Sequence, residues 1–201
     1  MRIAIYGGSY NPPHKGHIHV AEAVAKELMP DKIIIIPSNL PPHKEQADGS
    51  PDAAARLEMC RLAFGHIPNA EISDIEIQRG GKSYTCDTVH QFREIYPDAE
   101  LLLIIGADMV YTFDTWDRFN QIVEECLPVA VARENNQTEA LQDCIHHYRE
   151  DYNMDFRLLY CKPVVASSSE VRAQLAAGVR PDALTDEVYC YIFEHGFYQG
   201  T

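Results

Sequence analysis

The 201-residue sequence has no long apolar segment and no pattern of paired cysteines. Its longest apolar runs, such as Leu101–Ile105, hold about five residues, far fewer than the roughly 20 that a membrane-spanning helix needs. The six cysteines include no Cys-x-x-Cys pair and no zinc-finger spacing, so we expect free thiols and no structural zinc site. Met1 and Arg2 lead directly into a short apolar stretch without a basic-then-apolar leader, and we expect a cytoplasmic protein that does not bind membranes.

Positive charge is also scarce. Lysine and arginine together number 17, against 30 aspartates and glutamates, which gives a formal net charge of −13. A general nucleic-acid binder needs a basic face that displaces counterions, so we expect no nucleic-acid partner and no RNA-binding or tRNA-charging role. If the ligand is an anion, the cations that bind it must be local, near glycines, prolines or helix starts.

Two common nucleotide-binding motifs are missing. The sequence contains neither G-x-G-x-x-G nor G-x-x-x-x-G-K-[ST]. Their absence disfavours a hydride-transferring dinucleotide enzyme and a P-loop nucleoside triphosphatase. The sequence also lacks internal repeats and any linker that would divide it, so we expect a single domain over residues 1–201.

Apolar runs alternate with helical patterns along the chain, which predicts an α/β fold with a mainly parallel sheet. Strands are expected at residues 2–6, 32–36, 101–105, 128–132 and 156–159, with one or two short strands within 70–77. Helices are expected at residues 17–29, 51–64, 85–95, 137–150, 169–177 and 186–195. Ser50 and Pro51 are typical of a helix start, and Gly196 is typical of a helix end.

The most informative stretch runs from Gly7 to His17 and reads G-G-S-Y-N-P-P-H-K-G-H. It follows the first expected strand and precedes the first expected helix. Glycines let the backbone approach a ligand, and a helix N-terminus offers free N–H groups to an anion. The stretch therefore predicts a phosphate site, to which His14 and His17 add hydrogen-bond donors. The alternatives are a tight turn with two solvated histidines and, less favoured, a zinc site that lacks further ligands nearby.

This stretch resembles the signature of the nucleotidyltransferase superfamily that carries an [HT]-x-G-H motif, and within it the bacterial nicotinate mononucleotide adenylyltransferases. The resemblance implies a Rossmann-like open sheet with helices on both faces. It also implies a reaction that joins ATP and nicotinate mononucleotide into nicotinate adenine dinucleotide and pyrophosphate, a step of NAD biosynthesis. The ATP-binding residues that it implies in this stretch are Gly7, Gly8, Ser9, His14, Gly16 and His17.

Four further strings resemble the family in the same order along the chain. They are the loop Pro37–Lys44, the S-Y-T-x-D-T string that begins at Ser83, the G-x-D string Gly106–Asp108 followed by Trp116, and the string Ala166–Arg172. The mononucleotide contacts that the resemblance implies are Ser9, Tyr10, Asn39, His43, Lys44, Tyr84, Thr85, Asp108 and Trp116. The further ATP contacts that it implies are Gly106, Asp108, Arg133, Ser167, Ser168 and Arg172.

Some of these strings also have a purely structural interpretation. A serine or threonine is a common cap for the helix after the S-Y-T string, and Ser167 with Glu170 has the spacing of a capping box. Trp116, the only tryptophan, could equally fill the core. The chain departs from the family pattern at Asn11, where an aspartate is usual, and this change removes a charge.

The implied nucleophile is a phosphate oxygen that is already ionised at neutral pH, so no general base is needed. Catalysis then consists of aligning two polyanions and neutralising charge as pyrophosphate leaves. The resemblance assigns this role to His14, His17, Lys44 and Arg172. Magnesium is expected to arrive with ATP, without a dedicated metal site on the protein.

Of three alternatives to this function, two stay open. Nicotinamide mononucleotide is a rival acceptor, because the two acceptors differ only by an NH₂ group in place of one oxygen. A nucleotide-binding sensor without catalytic activity is the other, although the presence of all four implied catalytic side chains argues against it. Phosphopantetheine is a weaker rival, because its enzymes lack the S-Y-T and G-x-D…W strings. The sequence leaves homo-oligomerisation open.

Overall fold

One sheet of six parallel strands organises the computed structural model, which describes residues 1–41, 49–133, 138–162, 164 and 166–199. Numbered along the chain, the strands are β1 (Arg2–Gly8), β2 (Lys32–Pro37), β3 (Ala70–Ile72), β4 (Glu100–Gly106), β5 (Leu127–Arg133) and β6 (Arg157–Cys161). Their order across the sheet is β3-β2-β1-β4-β5-β6. The expected α/β class with a parallel sheet is confirmed.

Helices cover both faces of the sheet. They are α1 (Lys15–Leu28), α2 (Ala53–Phe64), α3 (Ile75–Arg79), α4 (Thr85–Ile95), α5 (Ala107–Val110), α6 (Phe119–Glu125), α7 (Thr138–Tyr152), α8 (Ser168–Ala176) and α9 (Asp186–His195), with a 3-10 turn at Phe113–Thr115. Helices α1, α2, α8 and α9 contribute to one apolar cluster, and α4 to α7 contribute to the other. Within the described ranges, none of these helices is long and apolar enough to span a bilayer.

Both faces of the sheet are buried, because side chains alternate along each strand. On β1, Ala4 belongs to one apolar cluster, while Ile3 and Ile5 belong to the other. The residues Ile33–Ile36 of β2 divide between the two clusters in the same alternation. A strand that is covered on both faces reads as an unbroken apolar run, which is why these strands are visible in the sequence.

The connections from β1 and β4 leave the sheet in opposite directions. The chain passes from β1 through α1 to β2 on one side, and from β4 through α5 and α6 to β5 on the other. Because β1 and β4 are neighbours, a crevice opens at their carboxyl ends, where open α/β sheets bind ligands. Gly7 and Gly8 end β1 and Gly106 ends β4, so glycines border this crevice.

Two local expectations are wrong. Residues 75–79 form helix α3 rather than a strand, because Gln78 N–H donates to the carbonyl of Asp74 at 2.8 Å and Gly80, with φ 71°, ends the helix. Helix α2 begins at Ala53 and is capped by Asp52, whose Oδ1 accepts the N–H of Ala55 at 2.8 Å. Ser50 is therefore not the cap. The short helices α5 and α6 were also not expected.

The expected cap at the start of α8 and the expected glycine at the end of α9 are confirmed. Ser167 caps α8, since its Oγ accepts the N–H of Glu170 at 3.2 Å. The Ser167 hydroxyl also donates to the Glu170 carboxylate at 2.8 Å, so Ser167 bonds both the backbone and the side chain of Glu170 in the first turn of the helix. Gly196, in the left-handed conformation with φ 67°, ends α9.

Replacing the α2 cap should weaken the fold. Asp52→Ala is expected to lower the free energy of unfolding by about 1 kcal/mol, because it removes the acceptor for a helix-start N–H group. Urea denaturation followed by circular dichroism measures this change. The control is Glu58→Ala on the same helix, whose ion pair with Arg61 is exposed and should contribute little. Equal losses in the two variants would contradict the capping role.

Candidate active site

Two cavities open side by side at the crevice between β1 and β4. The first, the histidine cavity, holds about 430 Å³ and is lined by His14 and His17. The second, the tryptophan cavity, holds about 510 Å³ and is lined by Trp116. Ile104 and Ile105 of β4 line both cavities. Ligands bound in the two cavities would therefore lie next to each other.

The two histidines stack at the start of α1. His14 directly precedes the helix, and His17 lies in its first turn. Their ring centroids are 3.8 Å apart, and the ring planes differ by 28°. His17 Nδ1 accepts the backbone N–H of His14 at 3.2 Å. This contact assigns the proton of the neutral His17 ring to Nε2, which makes that nitrogen a hydrogen-bond donor.

Burial determines the charge of His14. Desolvation of this buried ring lowers its pKa from 6.5 to about 4, so the ring is neutral at physiological pH. His14 can then contribute hydrogen bonds to an anion but no formal charge. Among the described residues, positive potential in the histidine cavity comes from the N-terminus of α1 and from Lys162, which also lines the cavity.

Two glycines lie close against side chains of the site, where an added Cβ would force a neighbouring side chain to shift. At Gly16 a Cβ would lie 3.0 Å from Cε1 and Nδ1 of the His14 ring. At Gly106 a Cβ would lie 2.5 Å from Oδ1 of Asp108. The glycine between the two histidines therefore lets the His14 ring fold over the helix start.

The turn between β1 and α1 is held by side chains from α8. Arg172 Nη1 donates to the carbonyl oxygen of Asn11 at 2.7 Å. Ser168 Oγ donates to the carbonyl oxygen of Pro12 at 3.0 Å. These contacts join residues more than 150 positions apart in the sequence. They fix the backbone that leads into the histidine pair.

The side chain of Asn11 is buried and uses both ends of its amide. Its Oδ1 accepts a hydrogen bond from the Tyr198 hydroxyl at 2.5 Å, and its Nδ2 donates to Ser50 Oγ at 2.8 Å. An aspartate could accept from Tyr198 but could not donate to a second partner. Asn11 is thus a structural residue that links the turn to two distant segments.

A buried arginine from α2 supports the other end of the turn. Arg56 is 1% exposed, and its guanidinium group donates to the carbonyl oxygens of Ser9 at 2.8 Å and Asn39 at 3.0 Å. Sequence analysis missed this residue. Its spacing from Met59 and Cys60, which are both buried, was the available signal, because it places Arg56 on the inner face of the helix.

Trp116 and the start of α4 form walls of the tryptophan cavity. The Trp116 ring is half-buried and packs edge-on against Phe113, with centroids 4.9 Å apart. Tyr84 directly precedes α4 and Thr85 is its first residue, and both line the cavity. The N-terminal end of α4 therefore borders the cavity, and its first N–H groups have no partner within the helix. Contrary to expectation, the cap of α4 is Tyr84 rather than a serine or threonine.

Buried polar groups also line the tryptophan cavity. Glu76 of α3 accepts a hydrogen bond from Thr88 Oγ1 at 2.6 Å and interacts with the Ser83 hydroxyl. Burial raises the pKa of the Glu76 carboxyl group, and the hydrogen bonds from Thr88 and Ser83 oppose this shift. Sequence analysis also missed Glu76. It predicted strands within residues 70–77, whereas Glu76 lies on helix α3.

Comparisons with known proteins agree with this geometry. A family model described as cytidylyltransferase-like matches residues 5–174.

The chain belongs to the cytidylyltransferase-like family.

Two curated relatives, both named probable nicotinate-nucleotide adenylyltransferase, are similar along almost their whole length. The relative from Neisseria meningitidis serogroup C is 32% identical, with 98% of each chain covered. The relative from Oceanobacillus iheyensis is 36% identical, with 98% of this chain and 96% of the relative covered. The resemblance that the motifs indicated is confirmed, and so is the assignment to an enzyme of the nicotinate-nucleotide adenylyltransferase type.

Solved structures confirm the expected open nucleotidyltransferase fold. The Plasmodium falciparum nicotinic acid mononucleotide adenylyltransferase complexed with NaAD matches with a TM-score of 0.79 at 17% identity, over 98% of this chain and 97% of that one. The same enzyme complexed with APC matches with a TM-score of 0.77 over 98% and 96% of the two chains.

The residues expected to contact ATP lie partly at the histidine cavity, partly at the tryptophan cavity and partly outside both. Those that line the histidine cavity are His14, Gly16, His17, Gly106 and Asp108. Those that line the tryptophan cavity are Gly7, Gly8 and Ser9. Three further expected ATP contacts, Ser167, Ser168 and Arg172, line neither cavity. Ser167 caps α8, and the side chains of Ser168 and Arg172 bind carbonyl groups of the turn before α1.

Four of the expected mononucleotide contacts meet at the tryptophan cavity, namely Ser9, Tyr84, Thr85 and Trp116. Asp108 lines only the histidine cavity. Asn39 lines neither cavity, since its Nδ2 donates to the carbonyl of Gly81 at 2.9 Å and its N–H donates to Ser83 Oγ at 2.8 Å. It joins the loops that follow β2 and α3.

Tyr10 was expected at the mononucleotide but lies in the core. Its ring is 1% exposed and packs edge-on against Phe64, with centroids 5.5 Å apart. Its hydroxyl donates to the carbonyl of Tyr6 at 2.9 Å. The side chain is fully used by packing, so the structure does not place it at either cavity.

The other expected contacts cannot be placed. His43, Lys44 and the side chain of Arg133 lie outside the described residues. Within the part of the chain that the structure describes, no cluster of three or more His, Cys, Asp or Glu side chains could hold a metal ion. No two of the six cysteines are joined by a disulfide.

Because His14 is buried in its neutral form, it should make stability depend on pH. Its folded pKa of about 4 lies below the ordinary 6.5, so the unfolded chain binds a proton first as the pH falls. The stabilisation from neutral His14 is therefore complete above pH 6.5 and is lost as the pH drops towards 4, by up to about 3 kcal/mol. Urea denaturation of the wild type and of His14→Gln at neutral and acidic pH measures this loss. A difference between the two proteins that stays constant with pH would contradict it.

Proposed function

We propose that this protein transfers the adenylyl group of ATP to nicotinate mononucleotide, giving nicotinate adenine dinucleotide and pyrophosphate. One observation carries the proposal: two cavities adjoin at the β1–β4 crevice, one with paired imidazoles at a helix start and one with an aromatic wall. Such an arrangement suits two nucleotides that react with each other. The names of the relatives, which denote this activity, support it.

In the proposed reaction, ATP occupies the histidine cavity and the mononucleotide occupies the tryptophan cavity. An oxygen of the mononucleotide 5′-phosphate attacks the α-phosphorus of ATP, and the bond from that phosphorus to the oxygen bridging to the β-phosphate breaks. The bonding electrons leave with pyrophosphate, and no proton needs to be removed from the nucleophile. The enzyme therefore acts by positioning the phosphates and by stabilising charge on the leaving group.

The residues of the β1–α1 turn have separate roles in this proposal. His17 donates from Nε2 to a phosphate oxygen of ATP, and His14 adds a neutral donor beside it. The N-terminus of α1 supplies positive potential. Arg172 lines neither cavity, so its contact with the flanking phosphates remains a prediction. Such a contact is compatible with its hydrogen bond to the Asn11 carbonyl, because a guanidinium group has five N–H donors. Lys44 remains a prediction outside the described residues.

Magnesium is proposed to arrive with ATP. This ion usually keeps several waters and is held by one or two carboxylates together with substrate phosphates. Among the described residues that line the histidine cavity, Asp108 supplies the one carboxylate. This single donor fits an ion that is held mainly by phosphate. When bound, magnesium would neutralise part of the charge on pyrophosphate.

The tryptophan cavity suits a pyridine ring that carries a carboxylate. The half-buried Trp116 ring offers a flat surface for stacking. The start of α4 offers N–H donors from Thr85 onwards, because the N–H of Tyr84 already donates to the carbonyl of Lys82 at 3.2 Å. A carboxylate oxygen accepts hydrogen bonds from such N–H groups, whereas an amide NH₂ group is itself a donor and cannot accept them. We therefore propose nicotinate mononucleotide as the preferred acceptor. We also propose a cytoplasmic location, which the lack of disulfides among the cysteines supports.

A paired assay tests the choice of acceptor. With ATP and magnesium, kcat/KM for nicotinate mononucleotide should exceed that for nicotinamide mononucleotide by about tenfold or more, because the amide leaves buried donors unpaired. Pyrophosphate release measures both reactions. Equal values would reject the acid preference, and no release with either acceptor would reject adenylyl transfer in favour of a sensor.

Removal of His17 tests the role of the histidine pair. His17→Ala should lower kcat by about 100- to 1,000-fold, the usual effect of deleting one donor to a developing charge. The circular dichroism spectrum should be retained. His66→Ala is the matched control, since His66 is exposed and pairs with Glu22 on the surface. A near-normal rate in His17→Ala would remove this histidine from the mechanism.

A further inference from the structure

The tryptophan cavity contains a buried hydroxyl group without a partner. Ser38 directly follows β2, lines the cavity and is 8% exposed. Its Oγ is buried and forms no hydrogen bond with any described residue. A hydroxyl group buried in this way lowers stability, and native proteins contain few of them. The group therefore points to a partner that the described part of the chain does not supply.

Ser83 provides a comparison within the same cavity. It is also 8% exposed and also lines the tryptophan cavity. Its Oγ, however, accepts the backbone N–H of Asn39 at 2.8 Å, and its hydroxyl interacts with the Glu76 carboxyl group. Two serines of equal burial thus differ in their partners. The fold uses the hydroxyl of Ser83 and leaves the hydroxyl of Ser38 unused.

Ser38 lies beside the glycine turn. Its backbone N–H donates to the carbonyl of Gly8 at 2.9 Å, and Gly8 is paired with Pro37 in the sheet. Gly8 and Ser9 line the same cavity as Ser38. A mononucleotide whose ring stacks on Trp116 and whose phosphate points to the histidine cavity has its ribose and phosphate next to this turn.

We propose that Ser38 is a substrate-binding residue whose hydroxyl donates a hydrogen bond to an oxygen of the ribose 5′-phosphate part of the mononucleotide. This inference rests on the proposed function, since it takes the mononucleotide to occupy the tryptophan cavity. The family resemblance assigned no role to this position. The hydroxyl has no partner among the described residues, and the substrate supplies one on binding.

Isothermal titration calorimetry with nicotinate mononucleotide tests the contact. Ser38→Ala should raise the Kd of the mononucleotide about 5- to 20-fold, the effect of one hydrogen bond to a polar or charged group. The Kd of a non-hydrolysable ATP analogue should not change. An unchanged Kd for the mononucleotide would overturn the proposal.

Nicotinate riboside, which lacks the phosphate, identifies the acceptor. If Ser38→Ala weakens the binding of both the riboside and the mononucleotide, the hydroxyl donates to the ribose. If it weakens only the mononucleotide, the hydroxyl donates to the phosphate. Either result supports Ser38 as a substrate contact.

Thermal unfolding of the ligand-free proteins gives a second measurement. Ser38→Ala removes an unpaired buried group and should raise Tm by about 1–3 °C. Ser83→Ala leaves the Asn39 N–H and the Glu76 carboxyl group with one partner fewer and should lower Tm by about 3–6 °C. If Ser38→Ala lowers Tm as Ser83→Ala does, the Ser38 hydroxyl is structural and the proposal is wrong.

The wild-type titration separates this proposal from the proposed function. Wild-type protein that fails to bind the mononucleotide would overturn both. Wild-type binding together with unchanged binding by Ser38→Ala would overturn only the role of Ser38.

Discussion

The site depends on a turn whose carbonyl oxygens are held by arginines from opposite parts of the chain. Arg56 of α2 binds the carbonyl of Ser9, and Arg172 of α8 binds the carbonyl of Asn11. A guanidinium group is planar and donates in fixed directions, so it sets the orientation of a peptide group as well as its position. With these oxygens engaged, the turn presents less negative potential to a phosphate. The position of the turn also determines where His14 and His17 lie at the start of α1.

This arrangement explains how an acidic protein can bind two anions. The chain carries a formal charge of −13, and His14 adds no positive charge because burial keeps it neutral. Among the described residues, attraction at the crevice comes from oriented N–H groups at the starts of α1 and α4 and from Lys162. Oriented dipoles act over a short range. The remaining surface can stay acidic without cancelling them.

The strands and the position of the site could be predicted from the sequence, because each follows from a local pattern. Ile33–Ile36 is apolar throughout since both faces of β2 are covered, and the glycine turn follows a strand directly. Arg56, Glu76 and Tyr10 could not be placed correctly. Their roles depend on which segments meet in space: a buried arginine finds carbonyl groups on two distant loops, and a motif tyrosine turns into the core. Family motifs thus located the cavities better than they located individual contacts.

The hydrogen bond between Tyr198 and Asn11 joins residues 187 positions apart. During synthesis the first strand and the histidine helix emerge early, long before the tyrosine that completes their support. A nascent chain can therefore begin to build the sheet from its amino-terminal side before Tyr198 is available to support the turn before α1. The ribosome must pass residue 198 before the turn gains all its partners. Assembly of the site is in this way tied to the synthesis of residue 198.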